Sequence, residues 1–390
     1  MLEDVATLPV DALVEVGQLL RNDARADIID LGIGVYRDEH GRTSIPDVVK
    51  AAELHLFRTQ ESKAYVAPDG DPVFVEAVRG LLLGPGRPDA TMVCVQAPGG
   101  TGALRLAMDL VAHAAPGAVV HLGLPSWPNH APMLAAAGLR IATYRHYDAD
   151  AGAFDFSSMC AALAKAAPGD LVLLHGCCHN PSGTDPDAAQ WQQLASLIAN
   201  RGLVPLVDIA YQGLGDGLES DAAGVRRLLD AVPEVFVAMS CSKSFSLYRE
   251  RVGMLLVKTP DERAAARVRS NLQSLARLNY SNPPDHGAAI VRTILADPRQ
   301  TLMWRIGLAA MRMRIIGIRE TLAQNEKVDL SFIGRQKGLF AMLPIGAEAI
   351  ETLRRDHAIY MARSGRINLA GLNDANIDRF VAALAATLER

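Results

Sequence analysis

The sequence is poor in the features that would send a protein to a membrane, out of the cell or onto nucleic acid. No apolar run in its 390 residues reaches the length of a membrane span. The opening MLEDVATLPVDALVEV carries two acids early and its first arginine at Arg21. It lacks the basic start and apolar core of a secretory signal. The five cysteines, Cys94, Cys160, Cys177, Cys178 and Cys241, form neither an even framework nor a C-x-x-C pair. They read as small buried side chains of a reducing compartment, which predicts a cytoplasmic protein. Lys and Arg number 39 against 43 Asp and Glu, a net charge of −4 with no basic block or acidic tail. That excludes nucleic acid as the main partner. There is no internal repeat and no low-complexity linker. What remains is an ordinary globular composition, 49% apolar and 21% charged, long enough for a large core.

The middle of the chain alternates two patterns. GAVVHLGL (117–124), DLVLLHG (170–176), LVPLVDIAY (203–211) and EVFVAMS (234–240) are continuous Val, Ile and Leu runs. Such runs suit strands covered on both faces of a mainly parallel sheet. Helical stretches lie between them. The clearest is 185–202, with Asp185 expected as N-cap, Pro186 in the first turn and Gly202 at the exit. This alternation predicts a wound α/β domain. From about residue 300 the pattern changes to a long arginine-rich amphipathic helix (304–324), the short strand-like pieces DLSFIG and GLFAML, and further helices. That predicts a smaller α+β lobe.

Three of these buried runs end in a polar cluster: HGCCHNPSG, DIAYQG and SCSKSFS. In open parallel sheets ligands bind outside the carboxyl ends of the strands, so the three ends are expected to share one crevice. APGGTGALRLAMDLVAHAA (97–115) runs from a glycine-rich turn into a helix starting near Thr101. Its backbone N–H groups and helix dipole suit a phosphate. It is neither G-x-G-x-x-G nor a P-loop, which weakens dinucleotide and nucleoside triphosphate readings.

HGCCHNPSG invites a metal reading. His175 and His179 are four apart, but on strand and turn, where four residues span roughly 13 Å. Zinc needs its ligands at about 2 Å, so no metal is expected. Asn180, before Pro181, offers both a donor and an acceptor in a fixed turn. Asp208 ends an apolar strand, where a carboxylate needs a partner: a cationic ligand, a helix cap or an arginine. Ser240 and Lys243 match the S-x-x-K spacing of serine acyl-enzymes, but no S-D-N element accompanies them.

Together these pieces describe a site for pyridoxal 5′-phosphate. Its chemistry needs a lysine to form an imine, an anion clamp, a carboxylate at the pyridine nitrogen and hydrogen-bond donors at the ring oxygen. Lys243, the GGT helix start with Ser240 and Arg251, Asp208, and Tyr211 with Asn180 supply these in turn.

The motifs LGIGVYRDEHGRT, QAPGGTGALR, PSWPNH, LLHGCCHNPSG, DIAYQG, SCSKSFSLYRERVG, NYSNPPDHGA and SGRINLAGLN occur in order along nearly the whole chain. In these the chain resembles the class I aspartate/aromatic aminotransferases, pyridoxal phosphate enzymes of fold type I. The resemblance implies a large α/β domain over 46–309 with a mostly parallel sheet flanked by helices. It also implies a small α+β domain from both chain ends (13–45 and 310–390) and an N-terminal arm over 1–12. Lys243 would be the Schiff-base lysine and proton shuttle. Asp208 would partner the pyridinium, with His130 behind it. Tyr211 and Asn180 would bond the phenolic oxygen, and Trp127 would stack on the ring. Gly100, Thr101, Ser240 and Arg251 would hold the phosphate. Tyr65 would reach the phosphate of the neighbouring subunit, which implies a homodimer with shared active sites. Arg366 would grip the substrate α-carboxylate, with Gly34 beside it. Arg277 would come from the partner subunit to bind a side-chain carboxylate.

The implied reaction is ping-pong transfer of an amino group from aspartate or from Phe, Tyr or Trp to 2-oxoglutarate. Val35, Thr43, Thr101 and Asn282 resemble the aspartate-type choices, while Ala64 is smaller than expected for a strict aspartate enzyme. YRERVG, GDGLESDAAG and AGLND read more like bacterial aromatic aminotransferases. A pathway aminotransferase with another donor is an alternative within the class. A β-lyase or decarboxylase would also retain Lys243 and Asp208, but a dicarboxylate clamp at Arg277 argues against it. One departure stands out: QKGLFAML occupies the place of the usual Asn-Gly-Met-Phe-Ser, which puts Lys337 and Ala341 near the mouth of the site.

Overall fold

The computed structural model describes residues 1–7, 12–84 and 89–389; residues 8–11 of the expected N-terminal arm lie outside the described residues. Seven strands make one sheet in the order Met92–Pro98, Val252–Lys258, Val235–Ser240, Val204–Ile209, Leu171–His175, Val119–Leu124, Arg140–Arg145. Val252–Lys258 is antiparallel to both of its neighbours, and the remaining pairings are parallel. The four apolar runs are four of the central strands, each trimmed by a residue or two.

Their lack of alternation follows from burial on both faces. Successive side chains on a strand point to opposite sides. Leu171 and Leu173 face one core with the Gly99–Ala114 and Glu262–Asn279 helices. Val172 and Leu174 face the other, with the Ala188–Arg201 and Leu218–Ala231 helices. Both cores want hydrocarbon, so polar residues are excluded from either phase. A fully buried side chain such as Leu206 contributes roughly 1.5–3 kcal/mol.

The Ala188–Arg201 helix ends at Gly202 in the left-handed conformation, as expected, but its N-cap is Asp187, which forms a capping box with Gln190. Asp185 is not the cap. Its buried carboxylate accepts from Cys178 N (2.6 Å) and His179 N (2.9 Å) instead, and pins the turn that leads to Asn180. Another correction concerns DLSFIG: it contributes a 3-10 turn, Ser331–Arg335, rather than a strand.

The chain ends meet beside the sheet. Ile29–Asp30 pairs in parallel with Ile359–Tyr360, and Phe340–Met342 pairs antiparallel with Arg366–Asn368. The Pro298–Ala323 helix spans this region and the sheet. Trp304 on it stacks on Phe245 (ring centroids 4.4 Å) and donates to Ser244 O (2.8 Å), which fixes the loop after Val235–Ser240. Buried Arg319, on the same helix, satisfies the carbonyls of Ile333, Lys337, Gly338 and Phe340.

Candidate active site

The carboxyl ends of five strands open on one cleft. It is lined by Gly100, Thr101, Trp127, His175, Asn180, Asp208, Tyr211, Ser240, Ser242, Lys243 and Arg251, together with Leu104 and Ala210. All of these residues lie in motifs quoted from the sequence, and the sheet brings them together because parallel strands deliver their exits to the same edge.

One end of the cleft suits an anion. The Gly99–Ala114 helix starts there, with first-turn N–H groups that have no partner within the helix. Gly99 has φ +71°, and a Cβ on it would lie 2.5 Å from Arg251 Nη2, so the close approach of guanidinium and backbone requires glycine. Arg251 Nη1 donates to Ser242 Oγ (3.3 Å) and to the Tyr248 carbonyl (3.3 Å). Ser240 Oγ accepts from Ser242 N at 3.2 Å. Ser242 was not singled out in the sequence; its place between Ser240 and Lys243 was the available signal.

The floor is acidic. Asp208 Oδ2 lies 3.1 Å from His130 Nε2, and His130 Nδ1 lies 2.8 Å from Ser126 Oγ. Ser126 Oγ also lies 3.3 Å from His175 Nε2. The carboxylate is therefore tied to a buried polar chain. Ser126 was missed in the sequence, although it stands four residues before His130 in the quoted motif.

Lys243 stands half-buried at the centre, its Nζ 5.3 Å from the centroid of the Tyr211 ring. Burial pushes its ammonium below the ordinary range; Asp208 opposes that shift and Arg251 adds to it. Burial likewise raises the Tyr211 phenol. Trp127 meets His130 edge-on at 5.1 Å.

Arg366 is buried beside the cleft. It donates to Asn180 Oδ1 (3.3 Å) and to the Gly32 carbonyl (2.7 Å), and its guanidinium lies 4.6 Å over the Phe340 ring. Gly34 packs its Cα side toward the same ring: a Cβ there would stand 3.1 Å from Phe340 Cζ. Tyr65 and Arg277 do not line the cleft of their own chain. Tyr65 is 93% exposed. Arg277 donates to Ser281 Oγ at 2.5 Å and to Asn282 Oδ1 at 3.4 Å, while Asn282 Nδ2 donates to the Val66 carbonyl. The two residues thus belong to one outer region joined through Asn282.

His175 and His179 are not held apart along a strand. The turn doubles back at Cys178 (φ +53°), and the two rings lie 4.3 Å apart. His179 in turn stacks on His146 at 3.6 Å. Burial holds His175 and His179 well below the usual histidine range, so both are kept neutral. Among the described residues one group of three adjoining side chains has metal-ligand chemistry: Cys177, Cys178 and Asp221. Asp221 already accepts from the backbone N–H groups of Gly213, Gly215 and Asp216. The adjacent Cys178 thiol, then burial, holds the Cys177 thiol well above its usual range. That is the chemistry of a packed turn rather than of thiolate ligands.

Lys337 reaches away from the cleft. Its Nζ bonds Asp216 Oδ2 at 2.5 Å, and its backbone N–H donates to the Gly183 carbonyl at 2.7 Å.

A family model described as aminotransferase class I and II matches residues 26–384. A tyrosine aminotransferase of Rhizobium meliloti is 51% identical over 378 residues, 96% of this chain and 97% of the relative. An aspartate aminotransferase of Salmonella typhi is 41% identical across the full length of both chains. An aromatic-amino-acid aminotransferase from Burkholderia pseudomallei, solved covalently bound to pyridoxal phosphate, superposes with a TM-score of 0.96 at 40% identity, covering 100% of this chain and 99% of that one.

Proposed function

The chain belongs to the class I and II aminotransferases, and we propose that it transfers the amino group of aspartate and of aromatic amino acids to 2-oxoglutarate, donor and acceptor using one site in turn. The observation that carries this reading is the placement of Lys243. A half-buried amine shares a cleft with a carboxylate floor at Asp208, an anion cradle at Gly100, Thr101, Ser240, Ser242 and Arg251, and a buried cation beside it, Arg366, joined through Asn180.

The residues present fit pyridoxal 5′-phosphate. The cradle where a Gly99 Cβ would collide with Arg251 suits the phosphate, and the 3.1 Å contact with His130 anchors the Asp208 carboxyl at the opposite end. When bound, the cofactor supplies a carbonyl for amines and a protonated ring that accepts electron density. Asp208 would offer its carboxylate to the ring nitrogen and so favour a proton there. Asn180 and Tyr211 would present polar atoms to the ring oxygen. Trp127 offers an aromatic face. Lys243, with its proton affinity lowered by burial, would take the proton from the substrate α-carbon and deliver it to the cofactor C4′. Arg366 orients the α-carboxylate by its planar fork.

Tyr65 and Arg277 act in the neighbouring subunit of a homodimer. This reading is supported by their shared outer region and by the exposure of Tyr65 and Leu278 within it. Arg277 then meets the side-chain carboxylate of aspartate or glutamate. Residues 13–45 and 310–390 act as one small domain against 46–309, consistent with the pairing of Ile29–Asp30 with Ile359–Tyr360. No helix among the described residues is long and apolar enough to cross a membrane. The free cysteines agree with a reducing, cytoplasmic setting.

The test is a visible absorbance titration of the purified protein, supplied with pyridoxal phosphate, against L-aspartate and L-phenylalanine separately. Bleaching with both, and catalytic production of glutamate once 2-oxoglutarate is added, is expected. Bleaching with aspartate alone would restrict the donor range. An absence of bleaching with every amino acid would overturn the reading.

A further inference from the structure

Phe340 touches three of the site residues at once. Arg366 lies over its face at 4.6 Å. The Tyr211 ring meets it edge-to-face at 5.9 Å and 87°. Its para carbon abuts Gly34. Phe340 is itself only 1% exposed, so it is a fixed wall rather than a mobile rim. Its backbone is held on both sides. It pairs with Asn368 across the antiparallel ladder, and its carbonyl accepts from Arg319 Nη2 at 2.7 Å. Asn368 donates in turn to the carbonyls of Ile33 and Val35, the residues that flank Gly34.

Consider what holds the Arg366 guanidinium. Two bonds, to Asn180 Oδ1 and to the Gly32 carbonyl, hold its edge. Edge contacts fix the direction of the fork and resist tilting of the plane only weakly. A contact with the flat face opposes that tilt, and Phe340 supplies one. An aromatic face also attracts the cation, more strongly where water is excluded. A bidentate grip on a carboxylate depends on the tilt of that plane.

We propose that Phe340 is the positioning residue for carboxylate recognition: it sets the tilt of Arg366 and thereby the affinity for the α-carboxylate, without touching the chemistry at Lys243. This rests on the reading of Arg366 given above. A leucine at 340 would keep much of the apolar volume and lose the flat π-face.

The experiment compares wild-type holoenzyme with Phe340→Leu, and with Phe340→Met as a second variant should the first misfold. Three quantities are read: the dissociation constant of 3-phenylpropionate, an unreactive carboxylate, by calorimetry; kcat/KM for L-phenylalanine; and the rate of cofactor bleaching by 2-phenylethylamine, which has no carboxylate. Phe340→Leu is expected to weaken 3-phenylpropionate about tenfold and lower kcat/KM for phenylalanine by a similar factor. The 2-phenylethylamine rate and the cofactor content should stay within about twofold. A carboxylate affinity unchanged within twofold, or equal losses with the amino acid and the amine, would overturn the inference and make Phe340 mere packing. A wild-type enzyme that binds no carboxylate and bleaches with no donor would overturn the aminotransferase reading itself, and this inference with it.

Discussion

His130 Nε2 stands 3.1 Å from Asp208 Oδ2, with the imidazole fully enclosed. A carboxylate at the floor of a cleft is costly unless something bonds it. Here the partner is itself anchored by Ser126, so the charge is held in one orientation. Asp208→Asn removes the charge and keeps the shape. It should slow the half-reaction with aspartate by about 10²–10³-fold, the range for losing one aimed electrostatic group. Stopped-flow bleaching measures this; a loss below tenfold would contradict the assigned role.

Lys243 should be the residue that joins the cofactor covalently. Borohydride reduction of the holoenzyme followed by peptide mass spectrometry should place the label in the peptide containing Lys243 and on no other lysine. Lys243→Ala should retain the fold, because Trp304 and Phe245 hold the loop independently. Its turnover should fall by at least about 10²–10⁴-fold, the usual worth of a positioned acid–base group. A label elsewhere, or a loss under tenfold, would reassign the chemistry.

Arg277→Ala should cut kcat/KM for aspartate about a hundredfold, the order expected when one partner of a desolvated charge pair is removed. Phenylalanine should lose less than about threefold, since a ring makes no ion pair. Mixing Arg277→Ala subunits with Lys243→Ala subunits should restore aspartate turnover, because the mixed dimer holds one site with both groups intact. Equal losses with both donors, or no restoration on mixing, would place Arg277 outside the neighbouring site.

His146 should make the fold sensitive to acid. Burial pushes its imidazole down to about 4 from the ordinary 6.5, against a weaker contact with the Thr184 carbonyl. Between those values the unfolded chain takes up a proton that the folded chain refuses. Stability from this residue is therefore complete above pH 6.5 and is lost as the pH falls toward 4, by at most about 3 kcal/mol. Asp185 works in the opposite direction. Burial raises its carboxyl to about 6, so it costs stability as the pH rises from 3.8 to 6. His146→Phe keeps a ring against His179 and removes only the first effect. Urea midpoints at pH 5 and pH 7.5 should differ less in His146→Phe than in the wild type; an unchanged difference would sink the argument.

The sequence made some of this legible and not the rest. Asp208, Tyr211, Asn180, Ser240 and Lys243 were readable because each interrupts or ends an apolar run, and parallel strands send their exits to one edge. The capping residue of the Ala188–Arg201 helix was misread because Asp185 and Asp187 both precede it. Only folding shows that the first is spent on the backbone of the HGCCH turn. The contact between His175 and His179 was misjudged for a related reason: residue spacing measures distance along a strand, not across a turn that reverses on a left-handed residue.

Local chemistry, by itself, determined the strands, the phosphate-suited helix start and the identity of the reactive groups, since each of these depends on residues close together in the chain. Tertiary structure decided what those groups face. Phe340 lies 26 positions before Arg366 and covers it only because the Phe340–Met342 and Arg366–Asn368 strands pair in one register. Ser126 reaches Asp208 only through His130. Burial, which lowers the Lys243 ammonium and the His146 imidazole, is a property of the packed chain as a whole, and no short stretch of sequence contains it.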